Sequence, residues 1–248
     1  MSAYDPAAYG DRLGADYDTL YPADDLETDE CVALLLELAQ ARPGRSFVEF
    51  GIGTGRLALP LLERGLRVAG IDASARMVEA LRAKPGGDAV DVVIGDYTSA
   101  CVPGRFAVAA LVFNNVLDPR GMPAQLALFE NAARHLEPGG CFVVEAFVLD
   151  DEARSGAWNI VPRYVGESHV EFQLARFDVD TNHLKRTLVH LRPDGMEFVS
   201  VNDSYASPGE LDVMAHVNGM RRIARYSDWS RRPFTVQSRR HVTVYELT

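Results

Sequence analysis

Cysteine is scarce in this 248-residue chain, and the little there is follows no pattern. Cys31, Cys101 and Cys141 are odd in number and lack CxxC spacing, which argues against a disulfide framework or a zinc site and fits a reducing compartment. Each lies beside apolar residues, where a small buried side chain is expected. No apolar run approaches the roughly 20 residues that span a bilayer. The N-terminus carries aspartates where a signal peptide has a basic head and an apolar stretch. The expectation is therefore a cytoplasmic protein with no membrane partner. Basic residues are outnumbered by acids, 25 to 35, and the formal charge of −10 disfavours nucleic acid as a partner. No spacing among Glu, His and Asp suggests a metal site, and no repeat or low-complexity linker is visible.

What is present fits one α/β domain with an embellishment, since 47% hydrophobic and 24% charged residues describe a chain able to build a core. Charge is unevenly spread. The first 30 residues hold nine acids against Arg12, whereas Arg221 to Arg240 holds seven arginines against Asp228. Two solvated faces, two ends that pack together, or an acidic lip that gathers a cationic substrate would each explain this.

Strand and helix signals alternate from Thr28 to Phe147. Thr28 with Asp29 and Glu30 starts a helix that Pro43-Gly44 stops. Phe47–Phe50 is a strand leading into GIGTGR, and a helix through Leu57, Leu61 and Leu62 ends at Gly65. Pro60 kinks that helix unless it sits early in it. Arg67–Asp72 is a strand, Ser74 caps a helix through Met77, Val78 and Leu81, and Val90–Ile94 is a third strand. Phe106–Phe113 reads as a doubly covered parallel strand. A helix from about Pro123 to Leu136 ends at Pro138-Gly139-Gly140, and Cys141–Phe147 is a fifth strand. This order predicts a parallel sheet with helices on both faces.

After Asp150 the rhythm changes. Val170–Phe177, Leu184–Leu191 and Glu197–Val201 are strand-like and separated by turn signals, which predicts an antiparallel insertion. Ser207-Pro208-Gly209-Glu210 is a capping box before the last helix, and Arg222–Tyr226 and His241–Leu247 are closing strands. The expected divisions are an N-terminal lid (1–26), an α/β core (27–150), an inserted sheet over a substrate (151–205), and a final helix and strands (206–248).

The functional signals sit at successive strand ends. The turn Glu49–Gly55 lets backbone approach a ligand, and a helix N-terminus there favours an anionic group. A dinucleotide site has a similar turn, but here Arg56 occupies the place of its third small residue, and Glu49 precedes the turn where a pyrophosphate is unwelcome. Asp72, 21 residues after Gly51, can accept both hydroxyls of a ribose. Asp96 and Tyr97 can meet an adenine amino group and ring.

Taken together, VEFGIGTGRLALPL, GIDASARMVEAL, the GDY after the third strand and LEPGG before the fifth resemble class I S-adenosylmethionine-dependent methyltransferases. The match runs from about Phe47 to Phe147. More loosely, the tyrosine-rich start and PFTVQSRRHVTVYEL resemble an actinobacterial small-molecule group that includes the N-methyltransferases of lincosamide antibiotic biosynthesis. That group has an FNTFFNL-like stretch where this chain has Phe113-Asn114-Asn115-Val116-Leu117-Asp118, with smaller and more polar residues, so the resemblance carries over the cofactor but not the identity of the acceptor. The resemblance implies a Rossmann-like seven-stranded sheet and S-adenosylmethionine as cofactor, leaving as S-adenosylhomocysteine. It implies that Gly51, Ile52, Gly53 and Phe113, with Glu49, lie along the methionine end, that Asp72 binds the ribose, and that Ala73 and Met77 flank the adenine. Tyr17 and Tyr9 would fold over the cofactor as a lid, with Arg12 and Tyr21 on the same segment. Equally, these tyrosines would serve as packing for the terminus.

Methyl transfer from a sulfonium needs alignment and exclusion of water more than it needs a base, when the acceptor is an amine. Tyr9, Tyr17, Asn114 and Leu117 are the candidate catalytic contacts. Asn114, Asn115 and Asp118 would orient an amine or cap a loop. His169, His183 and His190 in the inserted sheet are candidate bases or surface residues, and Glu145 and Asp150 are the remaining acids. The favoured expectation is N-methylation of a small amine in bacterial secondary metabolism, by a chain that is able to form a homo-oligomer. The alternatives are O- or C-methylation and a cofactor-binding scaffold.

Overall fold

The apolar run after Arg105 forms the middle strand of the molecule. In the computed structural model, which describes residues 5–14, 17–20, 26–118 and 121–248, β4 (Phe106–Leu111) is buried along its whole length. Beside it lie β1 (Ser46–Phe50), β2 (Arg67–Asp72) and β3 (Asp91–Ile94) on one side. On the other lie β5 (Leu136–Phe147), β11 (Arg240–Leu247) and β10 (Met220–Tyr226). The first five are parallel and β11 is antiparallel to both of its neighbours. This is the expected seven-stranded Rossmann-like sheet.

Successive side chains of a strand point to opposite faces, and both faces are covered. Phe47, Val68, Val108 and Val143 pack with α3 (Leu26–Gln40), α4 (Ala58–Glu63) and α5 (Ala75–Arg82). Val48, Ile71, Ala109, Phe142 and Val144 pack on the other side with α6 (Met122–His135) and α8 (Pro208–Val217). Each large apolar side chain buried this way contributes about 1.5–3 kcal/mol. Pro60 falls in the first turn of α4, where its missing N–H has no intrahelical acceptor to lose, so the helix is short but not broken at the proline.

Several boundaries differ from those expected. Thr28 lies inside α3, which already begins at Leu26. Strand β4 stops at Leu111 because Phe113 and Asn114 are left-handed, at φ 58° and 65°. Strand β5 begins at Leu136, which pairs with Phe106, so Pro138-Gly139-Gly140 is an irregularity at the start of a strand. Cys31 and Cys141 are buried as expected, but Cys101 is exposed, because it sits in the loop ahead of β4.

The insertion is a separate antiparallel sheet of four strands in the order β6-β7-β8-β9 (Asn159–Val165, Val170–Asp178, His183–Arg192, Gly195–Ser204). Strand β6 carried no alternation in the sequence, since nearly all of it is exposed, and Pro162 is tolerated there beside a register shift at the sheet edge. Ala175, Phe177 and Leu184 seat the base of this sheet on the core beside Tyr205. Ahead of it, α7 (Asp151–Arg154) is capped by Asp150. The capping box at Ser207 and Glu210 forms as read. Two short helices, α1 (Ala8–Leu13) and α2 (Tyr17–Leu20), make up the described N-terminal segment.

Candidate functional site

Where β1 ends, the backbone of Gly51 and Ile52 bonds back to Ile71 of β2, at 2.8 and 3.1 Å, which folds the turn over the strand end. Gly53 is left-handed at φ 53°, and a Cβ added there would meet no heavy atom within 4 Å, so the turn presents bare backbone to an open side. Gly55 serves another purpose: a Cβ there would come within 2.3 Å of Leu81 of α5.

Glu49 lies beneath this turn, 3% exposed. Burial pushes its carboxyl up to about 8, against the opposing pull of Arg56. Among the described residues, neither Glu49 Oε2 nor Arg56 Nε has a hydrogen-bond partner. A buried carboxylate oxygen left in this way costs free energy unless a donor arrives. The Arg56 guanidinium lies over the Phe113 ring, 3.8 Å from its centroid. Arg56 thus does more than replace a small residue: it covers the candidate cofactor residue of β4's far end.

Asp72 closes β2. Its Oδ2 accepts from Gly53 N at 2.7 Å and its Oδ1 from Ser74 N at 2.8 Å. Burial raises its pKa more than these two bonds lower it, and Asp11 adds to the rise. Ala73 is half-buried between Asp72 and the cap of α5, while Met77 is buried under α1. Asp96 uses Oδ1 to hold Thr98, with both the amide and the hydroxyl at 2.8 Å. Tyr97 is buried, and its hydroxyl donates to the Asn115 carbonyl at 3.0 Å, so it braces the loop after β4.

That loop is held by β5. Phe113 N donates to Glu145 Oε2 at 3.0 Å, and Phe147 N donates to Asn114 Oδ1 at 2.7 Å. Both left-handed residues, which cost energy in this conformation, are therefore pinned from the neighbouring strand. Asn115 lies against Gly51, where a Cβ would meet its Nδ2 at 3.0 Å. Leu117, a candidate catalytic contact, is wholly buried in the core. Glu145 is buried, with its pKa raised by burial despite the Phe113 amide and Arg240. Arg240 also pairs with Glu27.

The acidic and basic ends do meet at Arg240–Glu27, and Arg231 of the basic end pairs with Glu37 farther along α3. Asp11 and Asp18 face the core, on Ser74 and Thr54, in place of forming an open lip. Tyr9 is 47% exposed with Arg12 near its ring, and Tyr17 is half-buried. Tyr21 lies outside the described residues. In the inserted sheet, Arg186 reaches the end of β5, its guanidinium 5.5 Å from the Phe147 ring centroid, and is held by both oxygens of Asp203. His190 and His169 flank Glu171, at 2.8 and 3.7 Å, whereas His183 is exposed. Asp150 is used as a helix cap and pairs with Arg239.

A glycine turn, a buried acid below it and an acid at the next strand end define a site at the carboxyl edge of the parallel strands. The methyltransferase domain family matches residues 47–140. The solved CcbJ methyltransferase from Streptomyces caelestis is 30% identical, with 99% of this chain and 100% of that one covered and a TM-score of 0.86. The chain belongs to the class I S-adenosylmethionine-dependent methyltransferases. The cypemycin N-terminal methyltransferase of a Streptomyces species is 24% identical over 204 residues, 82% of this chain and 83% of that protein. The amino pentose methyltransferase CalS10 of Micromonospora echinaspora, involved in calicheamicin biosynthesis, shares the fold at 19% identity and a TM-score of 0.69, covering 94% and 97%. S-adenosylmethionine is the cofactor of this methyltransferase, and the donor set fits it: an orphaned buried carboxylate oxygen and a bare glycine cradle suit the ammonium and backbone of its methionine end. Sequence reading missed Thr54, Lys84 and Asp18 as partners, although the threonine lies inside the glycine motif.

Proposed function

We propose that this methyltransferase N-methylates a small amine in an antibiotic-type secondary pathway. The carrying observation is that the polar groups around the loop after β4 are already engaged. Asn114 Oδ1, Glu145 and Asp118 all hold backbone or side chains. That leaves, among the described residues there, no group poised to take a proton. An amine needs only its neutral lone pair, while a phenol or alcohol needs a tuned base. Two relatives point the same way, one named for an N-terminus and the other for an amino pentose.

In this reading Gly51, Ile52 and Gly53 receive the methionine end, with Glu49 accepting from its ammonium. Asp72 takes the ribose, Ala73 and Met77 flank the adenine, and Asp96 and Tyr97 close its far side. When bound, the cofactor supplies an activated methyl group on a sulfonium. Tyr17 and Tyr9 close the N-terminal lid and exclude water, and the inserted sheet roofs the acceptor. Phe113 and Asn114, pinned from β5, fix the wall against which the acceptor is aligned, a contribution on the order of 7–11 kcal/mol when alignment is complete. Leu117 contributes by packing beneath that wall.

Purified protein with labelled cofactor and a panel of amines, phenols and carboxylic acids tests this. Label on amines supports the reading, and label confined to oxygen or carbon acceptors overturns it. One observation favours O-methylation: His190 is oriented by Glu171 at 2.8 Å, as a base would be. Replacing it as His190→Asn with S-adenosylhomocysteine binding intact would abolish turnover only in that second case.

A further inference from the structure

The N-terminal segment is fastened at two places, and both use an aspartate. Asp18 of α2 accepts the Thr54 hydroxyl at 2.6 Å through Oδ1 and pairs with Lys84 Nζ at 2.6 Å through Oδ2. Lys84 Nζ also donates to the Thr54 carbonyl at 2.8 Å, so residues from three parts of the chain close one cluster. At the second place, Asp11 Oδ1 accepts the Ser74 hydroxyl at 2.6 Å, and the Asp11 carbonyl accepts Arg76 Nη1 at 2.9 Å. Gly10 lies so close that an added Cβ would come within 2.6 Å of Ser74 Cβ.

The two anchors share a neighbour. Thr54 follows Gly53, whose N–H binds one oxygen of Asp72, and Ser74 donates its own N–H to the other oxygen. The segment is thus tied down on both sides of the candidate ribose carboxylate. Both anchors therefore lie within two residues of groups that bond the Asp72 carboxylate. The second anchor also caps α5 through Ser74, so it cannot be cut without disturbing a helix. The first has no such duty. Its side chains are 30% and 42% exposed, which makes the ion pair breakable and sensitive to salt.

We propose that Asp18, Thr54 and Lys84 form a latch that seats the Tyr17 segment over the cofactor groove and sets how fast the cofactor leaves. This rests on the reading of that segment as a lid. The three are positioning residues, acting through the segment and not on the reacting atoms. Burial works against ionisation of Asp18, but Lys84 and Thr54 outweigh it and hold the carboxyl below its ordinary value. Asp18 is therefore ionised at neutral pH.

Release of S-adenosylhomocysteine from the full-length protein, followed by surface plasmon resonance, provides the test without any acceptor. Asp18→Asn and Lys84→Met should each speed release on the order of tenfold, with association changed less than about threefold. The double variant should release no faster than either single one, as two ends of one interaction require. At about 1 M salt the wild type should approach the variants, which themselves change little. Release within about twofold of wild type in both variants overturns the latch, and so do additive effects. A melting temperature lowered in step with the rates also overturns it, since the role would then be structural. Wild-type protein that binds no S-adenosylhomocysteine would instead sink the cofactor assignment.

Discussion

The two sheets of this methyltransferase were built under different rules. Strands β1, β4 and β5 are buried on both faces and read as apolar runs, and their pairing leaves little freedom to slip. Among the described residues, the apolar seat of the inserted sheet on the core is at its base, through Ala175, Phe177 and Leu184. Farther out it exposes Ile160, Val165, Met196 and Phe198, each more than half accessible. One sheet carries the glycine turn and Asp72 at its carboxyl edge and is buried along its central strands. The other, in the proposed reading, roofs the acceptor, and an exposed surface of this kind can vary without disturbing the core.

The strongest challenge to this contrast is Phe142→Ala, which removes a fully buried ring from the centre of the core. Urea unfolding should show a loss of about 3–5 kcal/mol. A smaller effect, but on binding, is expected from Asp72→Ala. It removes the acceptor for two backbone N–H groups as well as the proposed ribose contact, and calorimetry should show S-adenosylhomocysteine affinity falling by about 2–3 kcal/mol.

His241 sharpens the comparison through pH. It is buried in β11, and burial pushes its pKa down from 6.5 to about 3. As pH falls, the unfolded chain takes up the proton first. Stability is therefore complete above the unfolded value of 6.5 and declines by about 1.4 kcal/mol per pH unit down to about 3. Unfolding at pH 7 and pH 5 should show this loss in the wild type, and His241→Gln should flatten it.

Glu49 behaves with the opposite sign. Its folded-state value of about 8 exceeds the ordinary 4.5, so its contribution is full below 4.5 and lost as pH rises through 8. Without cofactor, Glu49→Gln should raise the melting temperature at pH 8.5 by a few degrees, about 1 kcal/mol, while weakening cofactor binding. The smallest effect belongs to the outer sheet: Phe198→Ser should shift stability by no more than about 0.5 kcal/mol in urea unfolding. A larger change there would mean that this face is covered in solution.

Much of the site was legible because glycine, acid and strand end recur in order. Glu49, Gly53 and Asp72 declare themselves by position along the chain, as does the capping box of α8. Strand β6 did not, because a strand exposed on both faces has no periodicity to read. Nor did the left-handed pair Phe113–Asn114. Its conformation depends on Glu145 and Phe147, more than thirty residues away in sequence, and no local signal marks it.

By itself the sequence determined the parallel sheet, the glycine turn after its first strand and the place of the insertion, since burial on two faces and tight turns leave direct marks on residue choice. Tertiary structure alone decided which groups were free for chemistry. It engaged Asn114 Oδ1 in bracing the Phe147 backbone, placed Leu117 in the core, and gave the acidic N-terminus a use in fastening the segment to Thr54, Lys84 and Ser74. Those outcomes depend on hydrogen-bond partners brought together from distant parts of the chain, and spacing along a sequence does not record them.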